Sequence, residues 1–222
     1  MKITAIDVQA RRPTRRNIEV DGRFVLGMDE ALVVEYGLLV GQEVTQADMD
    51  TWRAAEEFRH LLENALNFLT FRPRSRAEVR RHVQGQRVPP EVVERVLAKL
   101  EEMSVLNDQQ FASFWVENRE EFNPRSSRAL GAELRQRGVD RETIEATVAP
   151  ERDEERALAA GRKKMRSLST ADYETFRNRL GPFLLRRGFN YSVTNAVVRQ
   201  LWEELHQEHP PEDEGEFSEE NA

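Results

Sequence analysis

The chain has no cysteine among its 222 residues, which excludes disulfides, thiolate metal sites and cysteine nucleophiles and fits a reducing compartment. No run approaches the roughly 18 consecutive apolar residues that a membrane span requires. The opening "MKITAIDVQARR" lacks the apolar middle of a signal peptide, so a cytoplasmic location without a membrane partner is expected. Catalytic signatures are missing too: there is no Walker-type phosphate loop, GxSxG, HExxH or dinucleotide fingerprint, and neither a cofactor nor a metal is expected. The four histidines are His60, His82, His206 and His209, and the last two read as surface residues beside the C-terminal run. Asp108 reads as the cap of the helix beginning "QQFASFW", not as half of a catalytic carboxylate pair. No enzyme is expected.

What is present is charge, unevenly placed. The net charge is -7, yet residues 207–222, "QEHPPEDEGEFSEENA", hold seven acidic residues and no Lys or Arg, leaving 33 acidic against 33 basic residues elsewhere. Such an apolar-poor run cannot bury enough surface to offset its ordering entropy and reads as a disordered acidic tail. The composition, 39% hydrophobic and 33% charged, suits thin cores, not one large globular core.

Those cores repeat. "PRS" at 73–75 recurs at 124–126, and the same offset of 51 carries Val79 to Leu130, Val83 to Leu134 and Val93 to Ile144. An offset of 50 carries "LGAELRQRGV" (130–139) onto "LGPFLLRRGF" (180–189). Within each unit the apolar residues recur at three- and four-residue steps, the spacing of one helix face. Helix ends are marked as well. "SRAE" from Ser75 is a capping box, Asp140 and Asn190 are N-cap residues, and Gly138 and Gly188 stand where a helix terminus needs a left-handed residue. Arg87 replaces that glycine in the first unit. Phe111, Trp115, Phe122, Phe183 and Phe189 read as core aromatics rather than base-stacking platforms.

The N-terminal part differs. Ile18 and Val20, then Phe24, Leu26 and Met28, alternate about Asp21-Gly22, a hairpin signal; "ITAIDV" supplies a third strand and "DEALVVEY" a short helix. Thr45 with Asp48 opens a long helix. The predicted fold is mainly α: three tandem three-helix repeats forming an elongated curved array, preceded by a small module containing a β-hairpin. The expected boundaries are 1–45 for the module, 46–103, 104–150 and 151–206 for the repeats, and 207–222 for the tail.

The candidate binding residues are arginines. Arg72, Arg74, Arg76, Arg80 and Arg81 crowd into "RPRSRAEVRR", with Arg125, Arg128 and Arg135 one unit later, Arg186 and Arg187 in the third, and a further basic run, "RKKMR", at 162–166. Part of this charge is expected to pair locally, as Glu78 with Arg81, Glu91 with Arg95 and Glu133 with Arg137 at helical spacing. Arg72, Arg74 and Arg76 flank a helix start, where the macrodipole disfavours cations, so they point outward to an acidic partner, phosphate or carboxylate. The acidic tail would compete for the same face.

The stretches "ALNFLTFRPRSRAEVRRHV", "LNDQQFASFWVENR" followed by "ELRQRGV", and "LLRRGFNYS" resemble the RecX regulators of the RecA recombinase, strongly over residues 45–206. The resemblance implies three tandem three-helix repeats without catalytic activity. It also implies a chain, here expected as a monomer, that lies along the groove of the RecA filament on DNA, contacts DNA directly or through the filament, and suppresses strand exchange, ATP hydrolysis and coprotease function. Where that family commonly has Gly-Leu-Leu-Asp-Asp, this chain has "SVLND", Ser104 to Asp108. Two other readings stay open: an autonomous helix-turn-helix-like DNA-binding protein, which the neutral body and acidic tail disfavour, and a helical scaffold with no nucleic-acid partner.

Overall fold

The computed structural model describes residues 1–85 and 88–208; Arg87, His209 and the acidic run beyond residue 208 lie outside the described residues. Three antiparallel strands open the chain, β1 (Ile3–Gln9), β2 (Arg12–Val20) and β3 (Arg23–Asp29), in the order β1-β2-β3. Asp21 and Gly22 join β2 to β3 with φ of 51° and 74°, the left-handed pair that a two-residue hairpin turn matched to strand twist requires. Ile18, Val20, Leu26 and Met28 are buried as their alternation predicts. Phe24 departs from the pattern and is 62% exposed. The register slips between Ile18↔Leu26 and Glu19↔Phe24, so a bulge at Val25 turns Phe24 to the other face.

The short α1 (Glu30–Glu35) is capped by Asp29, whose Oδ1 accepts the Ala31 N–H at 2.9 Å. After a loop, α2 (Gln46–Thr70) begins with a reciprocal capping box between Thr45 and Asp48. This helix serves two cores. Met49 and Trp52 close the apolar face of the sheet, while Leu61 and Ala65, further along, pack with α3 (Arg76–Gln84) and α4 (Pro90–Glu102). The strand module, expected to end near residue 45, therefore borrows its lid from the helix that follows.

The chain divides into two compact units, one running to Leu106 and one from Asn107 onward. The first holds the sheet and α1 to α4. The second holds two helix triplets: α5 (Asp108–Phe122), α6 (Ser127–Gln136) and α7 (Arg141–Thr147), then α8 (Asp153–Met165), α9 (Tyr173–Arg186) and α10 (Tyr191–Glu208). The repeat seen in sequence is a repeat of core positions. Val79, Leu130 and Leu180 are each fully buried at equivalent places, as are Val83, Leu134 and Leu184. Each such side chain contributes about 1.5–3 kcal/mol by leaving water. Phe111 and Phe189 are buried and Trp115 and Phe183 half-buried, but Phe122, expected in the core, is 66% exposed because it closes α5 beyond the last covered turn.

The ends of these helices follow local chemistry. Ser75 and Glu78 form the expected capping box, Asp140 accepts from the Thr143 N–H, and Asn190 accepts from the Val193 N–H. Gly138 and Gly188 adopt φ of 82° and 93°. Gly188 is doubly constrained, since a Cβ there would lie 2.5 Å from Ser126 Oγ, itself the cap of α6. The cap of α5 is Asn107, not Asp108 as the sequence suggested: Asn107 Oδ1 accepts the Gln110 N–H at 3.0 Å, and Asp108 is the first helical residue. One turn earlier, Ser104 occupies φ 57°, the conformation that glycine adopts without a steric penalty. Ser104→Gly is expected to stabilise the protein by about 0.5 kcal/mol, the relief of left-handed strain less the extra entropy of the unfolded chain. A urea midpoint unchanged or lower at constant slope contradicts this.

Candidate partner-binding arginines

Four arginines of the first cluster, Arg72, Arg74, Arg76 and Arg80, are held internally. Arg72 grips Glu78 through both terminal nitrogens at 3.0 and 3.2 Å and donates to the Pro73 carbonyl. Arg76 reaches across to α4, with Nε 2.6 Å from Glu101 and Nη2 3.0 Å from Glu94, and Arg80 joins the same Glu94 at 2.9 Å. The Arg74 guanidinium lies 4.1 Å above the Phe68 ring. The inference that Arg72 and Arg76 point outward for want of local partners is thus overturned. Their carboxylates come from the capping box and from α4, up to 25 residues away, where helical i,i+4 spacing does not reach. Electrostatics agree. The Arg76 hydrogen bond, with the charges of Arg80 and Arg76, holds Glu94 below its ordinary range against the opposing cost of desolvation. Arg76 is partly desolvated, which lowers its pKa, but the bonds to Glu101 and Glu94 outweigh that and raise it.

In the second unit Arg125, the counterpart of Arg74, pairs with Glu133 at 3.1 Å, and Arg119 meets the same carboxylate at 2.8 Å. The Arg119 and Arg137 guanidiniums lie 4.4 and 3.7 Å over the Trp115 ring, whose Nε1 donates to Glu133. Arg95, expected against Glu91, has its guanidinium over Phe58. Arg187 is half-buried between the two triplets: it donates to Asn123 Oδ1 and to the Pro124 carbonyl and stacks 4.5 Å over Phe183. Burial, and then the nearby Arg125 charge, lowers its pKa.

One arginine that the sequence reading passed over matters most to this unit. Arg156 on α8 is 3% exposed and bonds Glu120 of α5 at 2.8 Å, Asp153 at 3.3 Å and the Ala149 carbonyl at 2.7 Å. Asp153 in turn accepts from the Ser127 N–H and hydroxyl at the start of α6. The only hint in sequence was an arginine on the alanine-rich face of "ERALAAG".

Four of the candidates remain open to a partner. Arg81, Arg128, Arg135 and Arg186 are exposed and make no ion pair with another described residue. Arg128 and Arg135 are seven apart on α6, so they share one stripe, and both line a surface hollow floored by Gly131, Ile144 and Val148. Arg128 also borders a second hollow formed with Gly188, Asn190 and Tyr191. It sits in the first turn of α6, where the helix dipole opposes a cation. A cation at a helix start with no ion pair to a described residue, as expected of Arg72 and Arg76, is found here instead.

Comparison with known proteins covers most of the chain. Residues 1–45 match the regulatory protein RecX N-terminal domain, and 62–100, 107–148 and 151–198 match the first, second and third RecX three-helix domains. The regulatory protein RecX of Bacillus velezensis is 30% identical over 204 residues, covering 89% of this chain and 76% of its own. That of Listeria monocytogenes is 29% identical over 208 residues, with 92% and 77% covered. A crystal structure of regulatory protein RecX superposes with a TM-score of 0.69 at 22% identity over 88% of this chain and 98% of its own. RecX from Lactobacillus salivarius does so with 0.57 at 20% over 66% and 97%; at these identities the likeness speaks to fold.

Proposed function

The chain belongs to the RecX family of regulatory proteins, and from that premise we propose that it regulates RecA by binding the RecA–DNA filament along its groove. It acts there without catalysis of its own and lowers strand exchange, ATP hydrolysis and coprotease function. The observation that carries this reading is the α6 stripe of Arg128 and Arg135, exposed cations that no described carboxylate neutralises, one of them against the helix dipole. Guanidinium forks of this kind suit carboxylates and phosphates alike, and both line a protein filament on DNA. Tandem helical units offer an outer face to a polymer instead of a closed pocket for a metabolite. Arg81 and Arg186 are proposed to add to that contact. Arg72, Arg74, Arg76, Arg80, Arg125 and Arg187 are proposed to serve it indirectly, by holding the helices that present it.

The experiment is a titration of RecA-catalysed, DNA-dependent ATP hydrolysis with the full chain. Hydrolysis is expected to fall to a low plateau as protein is added. An unchanged rate refutes the reading. Tight, steeply salt-dependent binding to DNA without RecA would favour the autonomous DNA-binding alternative instead.

A further inference from the structure

The basic run "RKKMR" has no part in the reading above. Arg162, Lys163 and Lys164 form the last turn of α8, and Arg166 opens the 3-10 turn that follows. Cations at a helix C-terminus are favoured by the dipole, but little of this charge is neutralised by the fold. Arg162 lies 2.9 Å from Glu204 of α10, and Lys163 donates to the Glu121 carbonyl, which carries no net charge. Lys164 and Arg166 make no ion pair with another described residue. Asp172, which begins the next helix, is engaged in capping it through the Thr175 N–H.

The last described residues of α10 lie at this same end. The Arg162–Glu204 pair sets the last turns of α10 beside the last turn of α8, and Trp202 stacks edge-on against Tyr173, the first residue of α9, at 5.2 Å. Glu208, where α10 stops, is about 6 Å of helical rise beyond Glu204. From there residues 209–222 carry Glu212, Asp213, Glu214, Glu216, Glu219 and Glu220, with no Lys or Arg. Extended, a segment of that length reaches roughly 45–50 Å.

We propose that the acidic segment 209–222 docks on Lys163, Lys164 and Arg166 of its own chain and competes there with anionic partners. The tether holds six carboxylates close to the basic run, at an effective concentration of the order of millimolar. The contact is electrostatic and therefore weakens with salt.

The composition offers a direct test, because the chain has only four lysines, Lys2, Lys99, Lys163 and Lys164. Carbodiimide, which condenses a carboxylate and an amine in contact into an amide with loss of water, is applied to the full chain at low salt, and the links are read by mass spectrometry. Links from Glu212–Glu220 to Lys163 and Lys164 are expected in the monomer, and are expected to fade in high salt. Tail links spread evenly over Lys2, Lys99 and the N-terminal amine, links confined to dimers, or none at all would overturn the proposal. In a second arm, truncation after Glu208 is expected to tighten binding to heparin by about tenfold at low salt. That gain should vanish when Lys163→Gln, Lys164→Gln and Arg166→Gln are combined, with helical circular dichroism checked in each variant. Equal heparin affinity of the full and truncated chains would also overturn it. Neither arm contains RecA, so the outcome is independent of the proposed function.

Discussion

Replacing Arg156 by methionine is expected to lower the stability of the second unit by about 3–5 kcal/mol, the cost of removing one partner from a buried ionic cluster. Methionine approximates the aliphatic stem, so the loss isolates the guanidinium. That group is nearly out of water and ties together α5, through Glu120, the start of α8, through Asp153, and the Ala149 carbonyl of the connection from α7 to α8. The substitution leaves Glu120 and Asp153 facing a vacated cationic site. Glu120 keeps Arg152 at 3.0 Å, and Asp153 keeps the Ser127 N–H at 2.7 Å, which sets the loss toward the lower end of the range. Adding Glu120→Gln should recover part of it, since one stranded charge is then removed. Urea unfolding followed by far-ultraviolet circular dichroism measures both effects. A loss below about 1 kcal/mol would place Arg156 with ordinary exposed ion pairs.

Reversing Arg128 and Arg135 together to glutamate is expected to raise the concentration needed to inhibit RecA ATP hydrolysis by at least tenfold, or about 1.4 kcal/mol of lost binding. Folding should hardly change. Neither guanidinium is tied to a described carboxylate, exposed substitutions typically move stability by about 0.5 kcal/mol or less, and a glutamate in the first turn of α6 agrees with the dipole that Arg128 opposes. Reversal at Arg74 and Arg125 makes the instructive contrast. Arg125 shares Glu133 with Arg119, and Arg74 covers Phe68, so carboxylates there would set a like charge against Glu133 and uncover an aromatic ring before they touched any partner. If the α6 pair can be reversed with inhibition intact, the partner-facing stripe lies elsewhere on the chain.

Much of the fold was legible because it rests on short-range rules. The steps from Val79 to Val83 and from Leu130 to Leu134 mark buried helix faces, and the capping boxes at Thr45 and Ser75 mark helix starts from residues three apart. The Asp21-Gly22 hairpin is equally local. Two failures were one-residue local shifts that the apolar pattern does not mark. A bulge turned Phe24 outward although its alternation was correct, and Asn107 took the capping role from Asp108 by one residue. The site was less legible still. Arg72, Arg76 and Arg125 look unpartnered along the chain because Glu78, Glu94, Glu101 and Glu133 approach them only after a capping box has formed or helices have packed.

The sequence by itself determined the three-helix period, the strand module and the supply of arginine, since periodicity and composition are properties of the chain before it folds. Which arginines hold the helices together and which stay free was decided only by tertiary structure. A guanidinium is neutralised by whichever carboxylate lies within about 4 Å, and helix packing chooses that partner without regard to its distance along the chain.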